Sequence, residues 1–127
     1  MSAAGPYDHI DLRVREVAPL RPFYDALMFA LGLQTVVAPE GERSYYSNRR
    51  DQPFFGLTED PGHVPNSSRV AFGAATRDDV DRVAWAVRRA GAHKLEGPEV
   101  CTDYRQPYYA AFFEDAEGNR FEVCCRH

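Results

Sequence analysis

Polar and apolar positions alternate strictly from Tyr7 to Val14, with Ile10, Leu12 and Val14 on one side and His9, Asp11 and Arg13 on the other, which predicts a half-buried strand. From Pro19 to Leu31 the period changes. Leu20, Phe23, Tyr24, Leu27, Met28 and Leu31 recur at helical spacing, Pro22 falls in the first turn and Gly32 supplies a stop. Three short strands are predicted next, at Gln34 to Ala38, Arg43 to Ser47 and Phe54 to Thr58, with turn-formers at Pro39–Gly41 and Asn48–Pro53 between them. The segment 59–67 is rich in turn-formers and poor in apolar residues, and reads as a linker.

The same order then recurs. Arg69 to Ala74 alternates with Val70, Phe72 and Ala74 inward, and Asp78 to Ala90 is amphipathic through Val80, Val83, Ala84, Val87 and Ala90. Thr76 or Asp78 can cap this helix and Gly91 ends it. Strands are predicted near Ala92 to Leu95, Tyr108 to Phe113 and Arg120 to Cys124, interrupted by loops at Gly97-Pro98 and Tyr104 to Pro107. Asp115 to Asn119 reads as the turn into the last strand, which carries Glu122 opposite Phe121 and Val123. A repeat of strand, helix and three strands implies two βαβββ modules, about 6–59 and 68–125, in a single α+β domain.

Composition narrows the function. With 44% hydrophobic and 13% aromatic residues, a chain of 127 residues can bury one substantial core. A net charge of −4 with scattered Lys and Arg argues against nucleic acid, and no apolar run is long enough to span a membrane. The N-terminus lacks the pattern of a secretory leader, and Cys101, Cys124 and Cys125 form no CxxC, so a cytoplasmic location is expected, with the cysteines as small buried or half-buried apolar groups.

Superposing the halves pairs His9 with Arg69 at the start of each first strand, and Gly56 with Glu122 in the middle of each last strand. All four lie opposite the local apolar face. If both curved sheets line one groove, these side chains converge there. Tyr46, Phe54, Tyr104, either Tyr108 or Tyr109, and Phe113 offer aromatic surface for a ligand, and Ala71 and Gly73 leave space beside Arg69. Asp11 shares the face of His9 some 6–7 Å along the strand. His63, His93 and His127 are expected at the surface.

Residues His9 to Leu12, Phe23-Tyr24, Leu31 to Leu33, Val70 to Phe72, Tyr109 to Phe112 and the Asp115 to Glu122 turn and strand together resemble the vicinal oxygen chelate superfamily, the glyoxalase, bleomycin-resistance and extradiol-dioxygenase group. The likeness covers nearly the whole chain, although Ala116 and Glu117 replace the Pro and Asp usual in that turn. It implies two βαβββ modules pairing their sheets around a shared groove, often as a homodimer. It also implies a divalent metal, held by His, Gln or Glu from the first and last strands of each module, acting on a small oxygenated substrate. His9 and Glu122 match two ligand positions; Gly56 and Arg69 depart from the other two. Glycine offers no donor and a guanidinium cannot ligate a cation. Arg69 at about 4 Å would repel a unit charge by about 4 kcal/mol at an effective dielectric near 20. The metal is therefore disfavoured, and the arginine head group is expected to stand in its place, paired with Glu122.

Three functions remain open on these grounds. One is a lyase, isomerase or dioxygenase-type enzyme with Glu122 as general base, His9 assisting and Arg69 holding an anionic oxygen. The second is a binding protein whose acidic, aromatic-lined dimer groove sequesters an amphipathic small molecule, cationic ones included, without chemistry. The third is a degenerate relative kept for interaction.

Overall fold

The computed structural model describes residues 5–49, 51–102 and 106–127. The alternating N-terminal segment forms β1 (His9–Val14); a 3-10 turn at Ala18–Leu20 then leads into α1 (Arg21–Ala30), with Pro22 in its first turn. Strands β2 (Thr35–Val37), β3 (Glu42–Tyr46) and β4 (Phe54–Glu59) follow. The second half repeats this as β5 (Arg69–Gly73), α2 (Arg77–Arg89), β6 (His93–Val100), β7 (Tyr109–Glu114) and β8 (Arg120–Cys125). Thr76 is the cap of α2: its hydroxyl accepts the Asp79 N–H at 3.1 Å, while Asp78 and Asp79 sit in the first turn and Arg88 and Arg89 in the last.

Each half forms a four-stranded mixed sheet, ordered β1-β4-β3-β2 and β5-β8-β7-β6. The outer pairs β1·β4 and β5·β8 are parallel and the rest antiparallel. The fold is thus α+β, built from two βαβββ modules, as the repeat predicts. The register places Asp11 beside Gly56, and Ala71 beside Glu122. His9 and Arg69 both open their sheets, so the two halves correspond position by position.

Residues predicted to face inward do so, and Phe55 and Leu57 of β4, which sequence reasoning did not single out, join them. Val14, Phe55, Leu57, Phe121, Val123 and the α2 residues Val80, Val83 and Val87 are all essentially inaccessible. They belong to one cluster that spans both halves. Phe55 of the first sheet lies 5.9 Å from Phe72 and 6.4 Å from Phe121 of the second, between ring centroids. Tyr24 of α1 bridges them, 6.1 Å from Phe55 and 5.8 Å from Phe121, and α1 packs on α2. The two sheets therefore meet through their apolar sides. Each turns its polar side away from the shared core.

The clearest departure from expectation is β6. The Gly97-Pro98 pair reads as a chain breaker, yet the strand runs through it from His93 to Val100. β6 is the sheet edge, where a missing N–H is tolerated. Its pairing with β7 passes from His93↔Glu114 to Glu96↔Phe112 and then to Glu99↔Ala110, so β6 carries an extra residue at each of two shifts. Glycine is required at the second: Gly97 has φ +83°, and a Cβ there would come within 2.7 Å of the Ala110 carbonyl oxygen.

Candidate functional site

Each sheet presents a hollow on its polar side. That of the first sheet, about 170 Å³, is lined by His9, Asp11, Glu42, Ser44, Phe54, Gly56 and Thr58. Strand register explains the neighbours, because His9 faces Phe54 and Asp11 faces Gly56 across β1 and β4. Three rings stack in a row here. His9 lies 4.5 Å from Phe54 at an interplanar angle of 9°, and Phe54 lies 4.6 Å from Tyr46 at 26°. His9 Nδ1 is 2.7 Å from Asp8, and about half of the His9 side chain is open to solvent. Asp11 accepts the Thr58 hydroxyl at 2.9 Å and lies 3.5 Å from Arg13.

The second sheet's hollow is larger, about 430 Å³, and is lined by Arg69, Lys94, Glu96, Phe112, Phe113, Glu114, Arg120 and Phe121. Arg69 spreads its guanidinium over the Phe112 ring, 4.9 Å from the centroid. Arg120 approaches Glu114 at 4.0 Å. Further along the same face lies Glu122, 6% exposed, which accepts a hydrogen bond from the Tyr108 hydroxyl. Tyr108 is itself buried, packs with Ala110 and Cys124, and carries Arg126 over its ring at 4.8 Å. Burial first, then Cys124 and Glu122, hold its phenol far above the ordinary tyrosine range, so it stays a proton donor to Glu122.

The hollow that was to gather His9, Arg69 and Glu122 is not formed by the described residues of one chain. His9 lines the first hollow and Arg69 the second, because the sheets share their apolar faces. Nor does Arg69 pair with Glu122: the register sets Arg69 beside Arg120, and Ala71 occupies the place beside Glu122. Of the aromatic candidates, Tyr46 and Phe54 lie on the first sheet's polar side. The choice between Tyr108 and Tyr109 resolves to Tyr108. Tyr109 faces α2, where its hydroxyl donates to Asp81 at 2.6 Å and Arg77 covers its ring. Phe113 lines the second hollow, 2% exposed and stacked with Phe121, and its neighbour Phe112 is the more open ring, lying beneath Arg69. Tyr104 lies outside the described residues. His63, expected at the surface, is half-buried, with Nε2 2.9 Å from the Asn119 side-chain oxygen.

Phe112, Lys94 and Glu96 were not singled out by sequence reasoning. Phe112 could have been found, since strict alternation from Tyr108 puts positions 108, 110 and 112 on the face of Glu122. Lys94 and Glu96 could not, because a bulge changes which side a residue faces.

The donor set does not fit a divalent metal within the chain. At the position matched to Glu122 stands Gly56, where even a Cβ would meet the Ser44 hydroxyl at 3.1 Å. At the position matched to His9 stands Arg69. Among the described residues no three His, Cys, Asp or Glu side chains gather as a ligand set, and no helix is long and apolar enough to cross a membrane.

No protein-family model and no curated protein matches the sequence. Solved structures do. A glyoxalase/bleomycin resistance protein from Albidiferax ferrireducens T118 superposes with a TM-score of 0.82 at 25% identity, over 96% of this chain and 100% of that one. The chain has the fold of the vicinal oxygen chelate superfamily. Other members align over almost their full length at lower identity. A glyoxalase/bleomycin resistance protein/dioxygenase family enzyme from Burkholderia phytofirmans PsJN gives a TM-score of 0.68 at 15% identity, covering 94% of this chain and 98% of its own. The fosfomycin resistance protein FosX from Mesorhizobium loti gives 0.64 at 15%, covering 98% and 93%. At such identities the likeness is one of fold.

Proposed function

We propose that this chain is a small-molecule-binding protein of the glyoxalase and bleomycin-resistance kind that takes its ligand without a divalent metal. The state of Glu122 supports this most. A tight metal site needs several donors around its carboxylate, whereas Glu122 is buried, accepts the Tyr108 hydroxyl and belongs to no cluster of three His, Cys, Asp or Glu side chains among the described residues. The glycine and arginine at the other matched positions point the same way. Protein purified without chelator is expected to contain less than about 0.1 divalent ion per chain by elemental analysis, since tight sites need at least three protein ligands. One ion per chain, lost in Glu122→Gln, would refute the reading.

A homodimer belongs to this proposal. Asp11 and Glu42 line the first hollow, while in the second Arg69, Lys94 and Arg120 outnumber Glu96 and Glu114. A second copy that lays its second sheet over the first sheet of its partner would match these charges and enclose a ligand between the hollows. Sedimentation equilibrium should then give twice the 14.4 kDa chain mass. A strictly monomeric species at high protein concentration would remove the dimer from the proposal.

A further inference from the structure

Within one chain, the second-sheet hollow has a charge balance and a backbone distortion that the packing around it does not account for. Arg69, Lys94 and Arg120 line it against Glu96 and Glu114, so cations outnumber acids there although the whole chain is acidic. Arg120 is matched to Glu114. Arg69 and Lys94 pair with no carboxylate among the described residues. Lys94 also stands at the first register shift of β6 with φ 50°, a conformation unfavourable for any residue with a Cβ. A bulge of this kind re-aims a side chain. Here it brings a lysine to the hollow that holds Arg69.

From this geometry we infer that the second-sheet hollow binds a small organic carboxylate with a flat apolar body. Arg69 supplies a planar fork that matches a carboxylate and lies over the Phe112 ring. Lys94 supplies a second charge, and Glu96 limits the preference to a single negative group. The volume, about 430 Å³, lies within the range of small-molecule sites. This inference rests on the metal-free reading above, because it assigns to Arg69 and Lys94 the charge that an ion would otherwise supply.

The test uses the full chain in its native assembly and three probes of one shape: benzoate, benzyl alcohol and benzylamine. Titration followed by amide chemical shifts should show benzoate binding, with shifts centred on Arg69, Lys94 and Phe112, and about tenfold weaker binding of the other two. Arg69→Gln and Lys94→Gln should each weaken benzoate about tenfold, while Arg88→Gln on α2 leaves it unchanged. In the unaltered protein the affinity should fall as sodium chloride rises. Equal binding of benzylamine, or benzoate binding that survives both substitutions, would overturn the assignment. Protein that is metal-free yet ignores benzoate would sink this inference and leave the metal-free reading standing. Benzoate binding abolished by chelator would sink both.

Discussion

Replacing Asp115 by alanine is expected to cost about 3–5 kcal/mol of unfolding free energy, lowering the melting temperature by roughly 10–15 °C. Asp115 is completely buried. One carboxylate oxygen accepts the backbone N–H groups of Glu117, Gly118 and Asn119 at 2.9–3.0 Å. The other accepts the Tyr24 hydroxyl at 2.5 Å and the Asn119 amide at 2.7 Å. Alanine would leave four donors without an acceptor, the Gly118 N–H alone keeping the Asp115 carbonyl at 3.1 Å, and a buried unpaired donor costs more than a formed bond contributes. Asp115→Asn should recover part of the loss, since one oxygen remains. Chemical denaturation of the three proteins measures this; a loss under about 1 kcal/mol for the alanine variant would show that the turn holds itself.

Alkaline pH should unfold the protein through its buried tyrosines. Tyr24 is held well above the ordinary tyrosine range by burial and then by Asp115, and Tyr45 by burial and then by its 2.7 Å hydrogen bond to Asp25. Tyr108 is raised in the same sense. In the folded state these phenols keep their protons where the unfolded chain would lose them, near pH 10. The folded form thus binds more protons above that pH. Stability is intact below about pH 10 and falls as pH rises beyond it, by up to about 1.4 kcal/mol per pH unit for each such tyrosine. Tyrosinate absorbance and circular dichroism followed together provide the check. Three of the seven tyrosines should ionise only as the dichroism collapses. If all the tyrosinate signal grew in while the dichroism held, the tyrosines would not be linked to folding.

Much of the architecture was legible because alternation and helical spacing are local properties of the chain. Ile10, Leu12 and Val14 announce an inward face without reference to any other residue, and so do Val80, Val83 and Val87. The Asp115 turn was legible too, though its burial was not, since nothing local says that Tyr24 comes to meet it. The site was harder to read. Pairing the halves gave the correct correspondence of His9 with Arg69 and of Gly56 with Glu122, but correspondence is not proximity. Which faces of two sheets meet is decided by Phe55, Phe72 and Phe121 acting across the whole core. Lys94 was hidden for a different reason. Its side depends on a register shift, and a one-residue slip reverses every assignment that follows.

The short segment 115–119 serves both modules at once. Besides the Asp115 bond to Tyr24, the Glu117 carboxylate accepts the backbone N–H groups of Arg15 and Glu16, at 2.7 and 3.1 Å, where β1 leaves its sheet. Among the described residues, the equivalent segment of the first module shows only local bonds, among Ser47, Arg49 and Asp51. The two repeats are therefore unequal under evolutionary change. A length change at residues 115–119 would loosen the amino-terminal module from a hundred positions away.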